Sequence, residues 1–390
     1  MPGKDRFFVE VDADRRCEKE RKEPSGVYLQ KRYGDRILLV AAEGGGYGIR
    51  ARVAAEVVAS MVLNYARMGE TPVAVASSVL RTFAGEEGGI RFTSVDIRAS
   101  GDVRLLEFGH PACVILRGTE EWPVEREKRL VETDGNGRHE VFLAEFRAEA
   151  EDRIVFTSEG IVVSGFGTRR LPGGWRRQGV TDFVRACIAE RAVVSAHTLS
   201  RRIVEQAEIN ELFAVRKEMH CFTVYFRKPR RILVCSGPPF DRGKDRSLAE
   251  LVRDYPGETL VCGGTTAGII ARELDRKVDV ILKADPSGLP PVSRMEGVTL
   301  VTEGVLTLNK VKGLLSATFG TDVAGPGTDA DVCRLLLSHD VIEFVVGTCI
   351  NPLHQDPTLP VELELRRNLV RELAALLENR FMKEVRLRFV

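Results

Sequence analysis

Residues 37–61 read ILLVAAEGGGYGIRARVAAEVVASM. The apolar run 37–42 has the composition of a buried strand. A glycine-rich turn follows over 43–48, and then Ile49, Val53, Val57 and Met61 recur every four residues with Ala54, Val58 and Val62 beside them. That spacing predicts a helix laid on a sheet. Gly44, Gly45, Gly46 and Gly48 allow close backbone approach or positive φ. Glu43 stands at the strand end, and a carboxylate beside unprotected carbonyls suits a hard cation. Two other readings compete. Gly46-x-Gly48-x-x-Ala51 satisfies the loose dinucleotide fingerprint, with Glu70 near the distance for a ribose contact. The turn also reads simply as a strand–helix connection without a ligand.

The chain has 390 residues, enough for two domains with separate cores. Lys and Arg number 57 against 56 Asp and Glu, so no overall field draws it to nucleic acid or to a membrane. No apolar run approaches the length of a spanning helix, and the charged N-terminus has no signal-peptide core. The eight cysteines are scattered without a C-x-x-C pair, the pattern of reduced thiols in a cytoplasmic protein. The charged run 12–23 reads as a solvated loop.

In order, the chain predicts a strand over 7–11 and a hairpin of 27–30 and 37–42 turning at Tyr33-Gly34-Asp35. Helices follow over 49–66 and 72–83, then strands over 91–97, 103–108 and 113–117. Asp134-Gly135 and Asn136-Gly137 mark a further hairpin turn. A strand over 154–157 ends in Ser158-Glu159-Gly160, a second acid–glycine pair. Helices over 182–190 and 199–206 precede a strand over 221–226. Residues 1–228 therefore read as a strand-rich α+β unit, and the basic tetrad 227–230 reads as a boundary. Beyond it the pattern changes. Strands over 232–235, 259–262, 298–301 and 341–346 alternate with helices over 247–254, 267–274, 307–316 and 363–378, and a last strand covers 384–389. Alternation of this kind predicts a smaller, doubly wound parallel α/β domain over 229–390.

Glu43-Gly44 and Glu159-Gly160, with the strand order between them, resemble the metal-dependent PPM-type protein phosphatases, in particular the SpoIIE-like branch. The D-G-x-G-x-G pattern appears as residues 43–48, the strand pair ending in G-H-P as VRLLEFGHPACVILRG over 103–118, and the G-D-x-hydrophobics-S-D-G pattern as residues 151–160. The closing D-D-x-[ST] strand appears as His220-Cys221-Phe222-Thr223. The resemblance covers about residues 5–228. It implies a β-sandwich flanked by helices, holding two Mn²⁺ or Mg²⁺ ions whose bridged water attacks a phosphoserine or phosphothreonine. Carried over residue by residue, the metal positions are Glu43, the Gly44 carbonyl, Glu159 and Cys221. Each side chain departs from the family. Glu replaces Asp at 43 and 159, His220-Cys221 replaces Asp-Asp, and Ser25-Gly26-Val27 lacks an upstream acid. A soft thiolate suits neither ion. Two expectations follow: a SpoIIE-like pseudophosphatase in bacterial signalling, with a degenerate centre and a phosphoprotein or regulatory protein as partner; or an active, divergent Ser/Thr phosphatase using Glu43 and Glu159.

Residues 229–390 resemble the C-terminal region of SpoIIE-like proteins encoded near iron-only hydrogenase genes, through the stretches 236–239, 262–267, 302–308 and 350–355. That resemblance carries no activity. From the residues themselves, Gly263, Gly264, Thr265 and Thr266 sit between a strand and a helix N-terminus, where backbone N–H groups and two hydroxyls suit a small anion. Helix capping by either threonine accounts for the same residues. The glycines Gly237, Gly263 and Gly304 share one strand edge in this reading, and Asn351, His354 and Gln355 follow another strand toward it. His110 is a further polar residue that fits either a site or a core.

Overall fold

The computed structural model describes residues 7–17, 24–46, 48–84, 89–133, 137–318, 323, 325–349 and 359–390. Tyr47, the turn 134–136, and Asn351, His354 and Gln355 lie outside them. The chain divides into two compact units, Met1–Lys228 and Pro229–Val390.

The first unit runs β1 (Phe8–Arg16), β2 (Gly26–Tyr33), β3 (Arg36–Gly44), α1 (Gly48–Met68), α2 (Pro72–Thr82), β4 (Ile90–Arg98), β5 (Asp102–Phe108), β6 (Val114–Arg117) and β7 (Glu120–Glu121). It continues with β8 (Glu127–Thr133), β9 (Gly137–Arg147), β10 (Asp152–Thr157), α3 (Glu159–Val162), α4 (Arg176–Glu190), α5 (Ala196–Asn210) and β11 (Met219–Arg227). Two antiparallel sheets form, in the orders β1-β11-β10-β6-β7 and β2-β3-β4-β5-β9-β8. Alternation sorts their side chains. Leu39 and Ala41 of β3 meet Ile154, Phe156, Phe222 and Val224 of the other sheet in the core between them. Leu38, Val40 and Ala42 face the opposite way, onto α1 and α2. Val155, Met219 and Cys221 face α4 and α5. The result is a β-sandwich with a helical layer on each outer face.

Two expectations are corrected. Residues 12–16 belong to β1 rather than to a loop: Asp12 pairs with Thr223 and Arg16 with Met219. Backbone pairing outweighs their charge because the polar side chains lie at the sheet's rim, where Arg16 meets Asp14 and Glu208. In α1, Ile49, Val53 and Val57 are exposed, and the packed face is Ala51, Ala54, Ala55, Val58, Ala59, Val62 and Leu63. The sheet selects the face rich in small side chains, which lets the helix axis come close and fill space without voids.

The second unit runs β12 (Arg231–Ser236), α6 (Asp245–Asp254), β13 (Glu258–Cys262), α7 (Gly264–Leu274), β14 (Val278–Val280), β15 (Ser293–Met295), β16 (Val298–Thr302), α8 (Val305–Ala317), α9 (Thr328–Ser338), β17 (Val341–Val346), α10 (Leu359–Phe381) and β18 (Glu384–Phe389). Its sheet has the order β14-β15-β16-β13-β12-β17-β18. The strands β16, β13, β12, β17 and β18 are parallel. The pairings of β15 with β14 and β16 are antiparallel and finish one edge. Apolar clusters cover both faces of the sheet, α6 and α7 on one side and α8, α9 and α10 on the other. That is the doubly wound arrangement. Among the described residues no helix is long and apolar enough to cross a membrane.

Candidate functional site

In the first unit, strand ends from both sheets bring a group of charged residues together. Glu43 is the penultimate residue of β3, opposite Gly26 on one side and Arg91 on the other. Gly44 follows it, and a Cβ there would run into the Ala51 carbonyl of α1, so only glycine lets the helix start so close to the strand. Glu159 opens α3 directly after β10. The ends of β10 and β11 are tied together: the Ser158 N–H donates to the His220 carbonyl (2.9 Å), and the His220 N–H donates to Ser158 Oγ (2.9 Å). A Cβ on Gly160 would collide with the Glu218 carbonyl, which fixes the closeness of this second turn.

The charges pair internally. The Arg91 guanidinium lies between the two acids, 3.7 Å from Glu43 Oε2 and 3.6 Å from Glu159 Oε2. Lys217 Nζ donates to Glu159 Oε1 at 2.9 Å. Glu218 receives the Ser25 N–H (2.6 Å) and Oγ–H (2.7 Å), with His220 Nε2 3.0 Å from its other oxygen. His110, fully enclosed, stands 3.7 Å from Glu43 Oε1 and shares a 3.0 Å hydrogen bond with Thr93 Oγ1 through Nδ1. Its ring edge meets Phe156, which stacks on Phe222. A cavity of about 410 Å³ opens here between the two sheets, bordered by Asp14, Arg15, Tyr28, Glu43, Phe156 and His220.

Burial sets the protonation tendencies. It raises the Glu43 carboxyl above its ordinary range, against the opposing pull of His220 and Arg91. It lowers His110 to about 3, with Arg91 and His220 adding to the effect, so that ring stays neutral. Burial also works against charge on Glu218, but His220 and Ser25 outweigh it and hold the carboxyl at about 2. Lys217 keeps Glu159 low.

The structure thus brings together Glu43, Gly44 and Glu159 of the sequence-derived set. Cys221 borders the cavity, but its side chain belongs to the cluster beneath α4 and α5, and burial pushes its thiol to about 12. Strand parity makes the preceding residue, His220, the one facing Glu43. Arg91, Lys217 and Glu218 were not singled out in the sequence. The only signal for Arg91 is its register opposite Glu43, which requires knowing that β3 pairs with β4. Among the described residues no three His, Cys, Asp or Glu side chains form a group able to hold a metal ion.

In the second unit, Gly263 is the N-cap of α7 with φ 121°, Gly264 and Thr265 are exposed, and Thr266 is buried. Gly263 lies against Gly304, the N-cap of α8.

A sandwich of two antiparallel sheets between helical layers, with acid–glycine turns at strand ends, is the fold of the PPM-type phosphatases. Residues 33–211, most of the N-terminal unit, match the family model for Stage II sporulation protein E (SpoIIE), which supports the SpoIIE-like resemblance of that unit. Among solved structures, the phosphatase domain of the cell fate determinant SpoIIE from Bacillus subtilis is 12% identical, covering 57% of this chain and 94% of that one, with a TM-score of 0.44. The RsbU and RsbW domains of Rv1364c from Mycobacterium tuberculosis are 15% identical over 64% of this chain and 68% of that one, with a TM-score of 0.44. The catalytic domain of the serine/threonine phosphatase PstP, in complex with two manganese ions, is 13% identical over 57% of this chain and 100% of that one, with a TM-score of 0.37. No curated protein sequence matches the chain.

Proposed function

We propose that the N-terminal unit is a SpoIIE-like regulatory module of bacterial signalling in which binding has replaced metal-dependent dephosphorylation: a pseudophosphatase. The observation that carries this reading is the Arg91 guanidinium between Glu43 and Glu159. These are the two acids that the family pattern assigns to metal ions, and a fixed cation of the protein already neutralises them. Lys217 adds a second positive charge on Glu159. The donors do not fit a pair of hard divalent cations. Such ions need several converging oxygens, whereas here Arg91, the imidazole of His110 and His220 stand around Glu43, and the acids nearby, Glu159 and Glu218, are themselves paired with Arg91, Lys217 and His220. The Cys221 thiol is directed into the helical layer.

With the charges paired, the open end of the sandwich offers a polar concavity suited to a phosphoprotein or another regulatory protein. The test is titration calorimetry of the metal-stripped full chain with Mn²⁺, paired with release of phosphate from a phosphoserine peptide. No uptake at millimolar Mn²⁺ and no hydrolysis are expected. Tight uptake of one or two ions that disappears in Glu43→Ala, with hydrolysis to match, would establish the competing reading of an active, divergent phosphatase. A restoration variant sharpens the contrast. Asp at positions 43, 159 and 220, together with Arg91→Ala, should introduce Mn²⁺ uptake, because position 220 and not 221 faces Glu43.

A further inference from the structure

The carboxyl ends of β12, β13 and β16 lie level at one edge of the second unit's sheet: Ser236 pairs with Cys262, and Cys262 with Thr302. After β13 the chain enters α7, whose Ala267 and Ile270 pack on one face with Leu233 and Val261. After β16 it enters α8, whose Leu308 and Val311 pack on the opposite face with Ile232 and Leu260. Neighbouring strands that send their chains to opposite faces open a crevice at their carboxyl ends, where ligands bind in open α/β sheets. Gly263 and Gly304 line this crevice in contact. A Cβ on Gly304 would stand 3.6 Å from the Gly263 Cα, so the two turns lie side by side in ordinary contact. Neither helix carries a side-chain cap at its N-cap residue, which leaves its first N–H groups pointing outward.

A second observation is independent of the helix ends. Thr266 Oγ1, Thr307 Oγ1 and Ser236 Oγ have no hydrogen-bond partner among the described residues, although these residues are only 1%, 0% and 1% exposed. Buried hydroxyls are nearly always bonded. All three are at this edge: Thr266 in the first turn of α7, Thr307 in the first turn of α8, Ser236 at the end of β12. Thr266 Oγ1 is directed back to the cap, 3.6 Å from the point a Gly263 Cβ would occupy.

We infer that this crevice binds a phosphate group, held by the Gly264 and Thr265 N–H groups and the Thr266 hydroxyl at the start of α7. Glu303 sets the polarity. Its Oε2 accepts the Gly304 N–H at 3.1 Å, so the start of α8 already has an anion, and the incoming phosphate belongs to α7. The Glu303 carboxylate then serves as an acceptor for a hydroxyl of the ligand. The site lies wholly in the C-terminal unit and does not depend on the reading of the N-terminal one.

The test uses the full chain and inorganic phosphate by titration calorimetry, with AMP as a second probe. Saturable one-site binding is expected, weakened roughly tenfold in Thr266→Val, the usual effect of losing one hydrogen bond to a charged group. Gly264→Asp should abolish it. A Cβ at 264 meets nothing within 4 Å, so the carboxylate enters without disturbing the fold and takes the N–H groups for itself. Thermal unfolding without phosphate separates ligand binding from architecture: Thr266→Val should leave stability unchanged or raised, since it removes an unpartnered hydroxyl. Competition by AMP would identify a phosphate ester as the ligand, and binding of phosphate alone a free oxyanion; both support the site. No saturable binding at millimolar phosphate, equal binding in Thr266→Val and Gly264→Asp, or a stability loss in Thr266→Val would overturn it.

Discussion

Glu218 and His110 make the N-terminal unit acid-sensitive in two windows. His110 is held at about 3, below its ordinary 6.5, so the unfolded chain takes up a proton that the folded one refuses. The stability this represents is present above 6.5 and is lost as the pH falls toward 3. Glu218 is held at about 2 against an ordinary 4.5, so its contribution is lost between those values. Urea unfolding as a function of pH should show stability falling from pH 6.5 downward and steepening below 4.5. His110→Gln should flatten the upper part, and Glu218→Gln the lower. Gly44→Ala is a second expectation at this scale. Its methyl would meet the Ala51 backbone carbonyl rather than a flexible side chain. The strand–helix turn must then shift, at a cost of about 1–3 kcal/mol in denaturant unfolding.

Helix α1 shows how an element's environment decides which of two apolar stripes is buried. Every fourth residue from Ile49 is apolar, but the sheet takes the neighbouring alanine-rich stripe. Lysine at Val53 or Val57 should therefore change stability by no more than about 0.5 kcal/mol. Ala55→Leu, on the face packed against β3, should cost about 1–3 kcal/mol from overpacking. The same thermal or urea unfolding experiment measures both, and the reverse order of effects would mean that the helix is rotated about its axis. Strand β1 teaches the companion lesson. Asp12, Asp14 and Arg16 have the composition of a loop, yet the long partner strand β11 supplies a full ladder of hydrogen bonds.

At the scale of the molecule, the N-terminal unit has three apolar clusters of its own and the C-terminal unit two, each assembled within its own limits. Separate cores predict separate folding. Fragments 1–228 and 229–390, expressed singly, should each give dispersed amide spectra and a cooperative thermal transition. Failure of either fragment to fold would mean that its core is completed by the other.

Periodicity and turn residues in the sequence determined most of this fold. The β3–α1 junction, the order of the sandwich strands and the alternating strands and helices after residue 229 can be read from it, because burial imposes a period on apolar residues wherever an element packs on one side. Short pieces escaped that reading: β14, β15 and α3 are too brief for a period to emerge. The acid–glycine turns were likewise visible as motifs. What stands around them was not. Arg91 reaches Glu43 only through the β3–β4 register, and His220 rather than Cys221 faces the cavity only because of the parity of β11. The same holds in the second unit, where the contact between Gly263 and Gly304 follows from two strands that are neighbours in space and 40 residues apart in the chain. A motif names a local conformation. Which charges and hydroxyls meet there is fixed by strand pairing over long distances in sequence, and only the tertiary structure decides it.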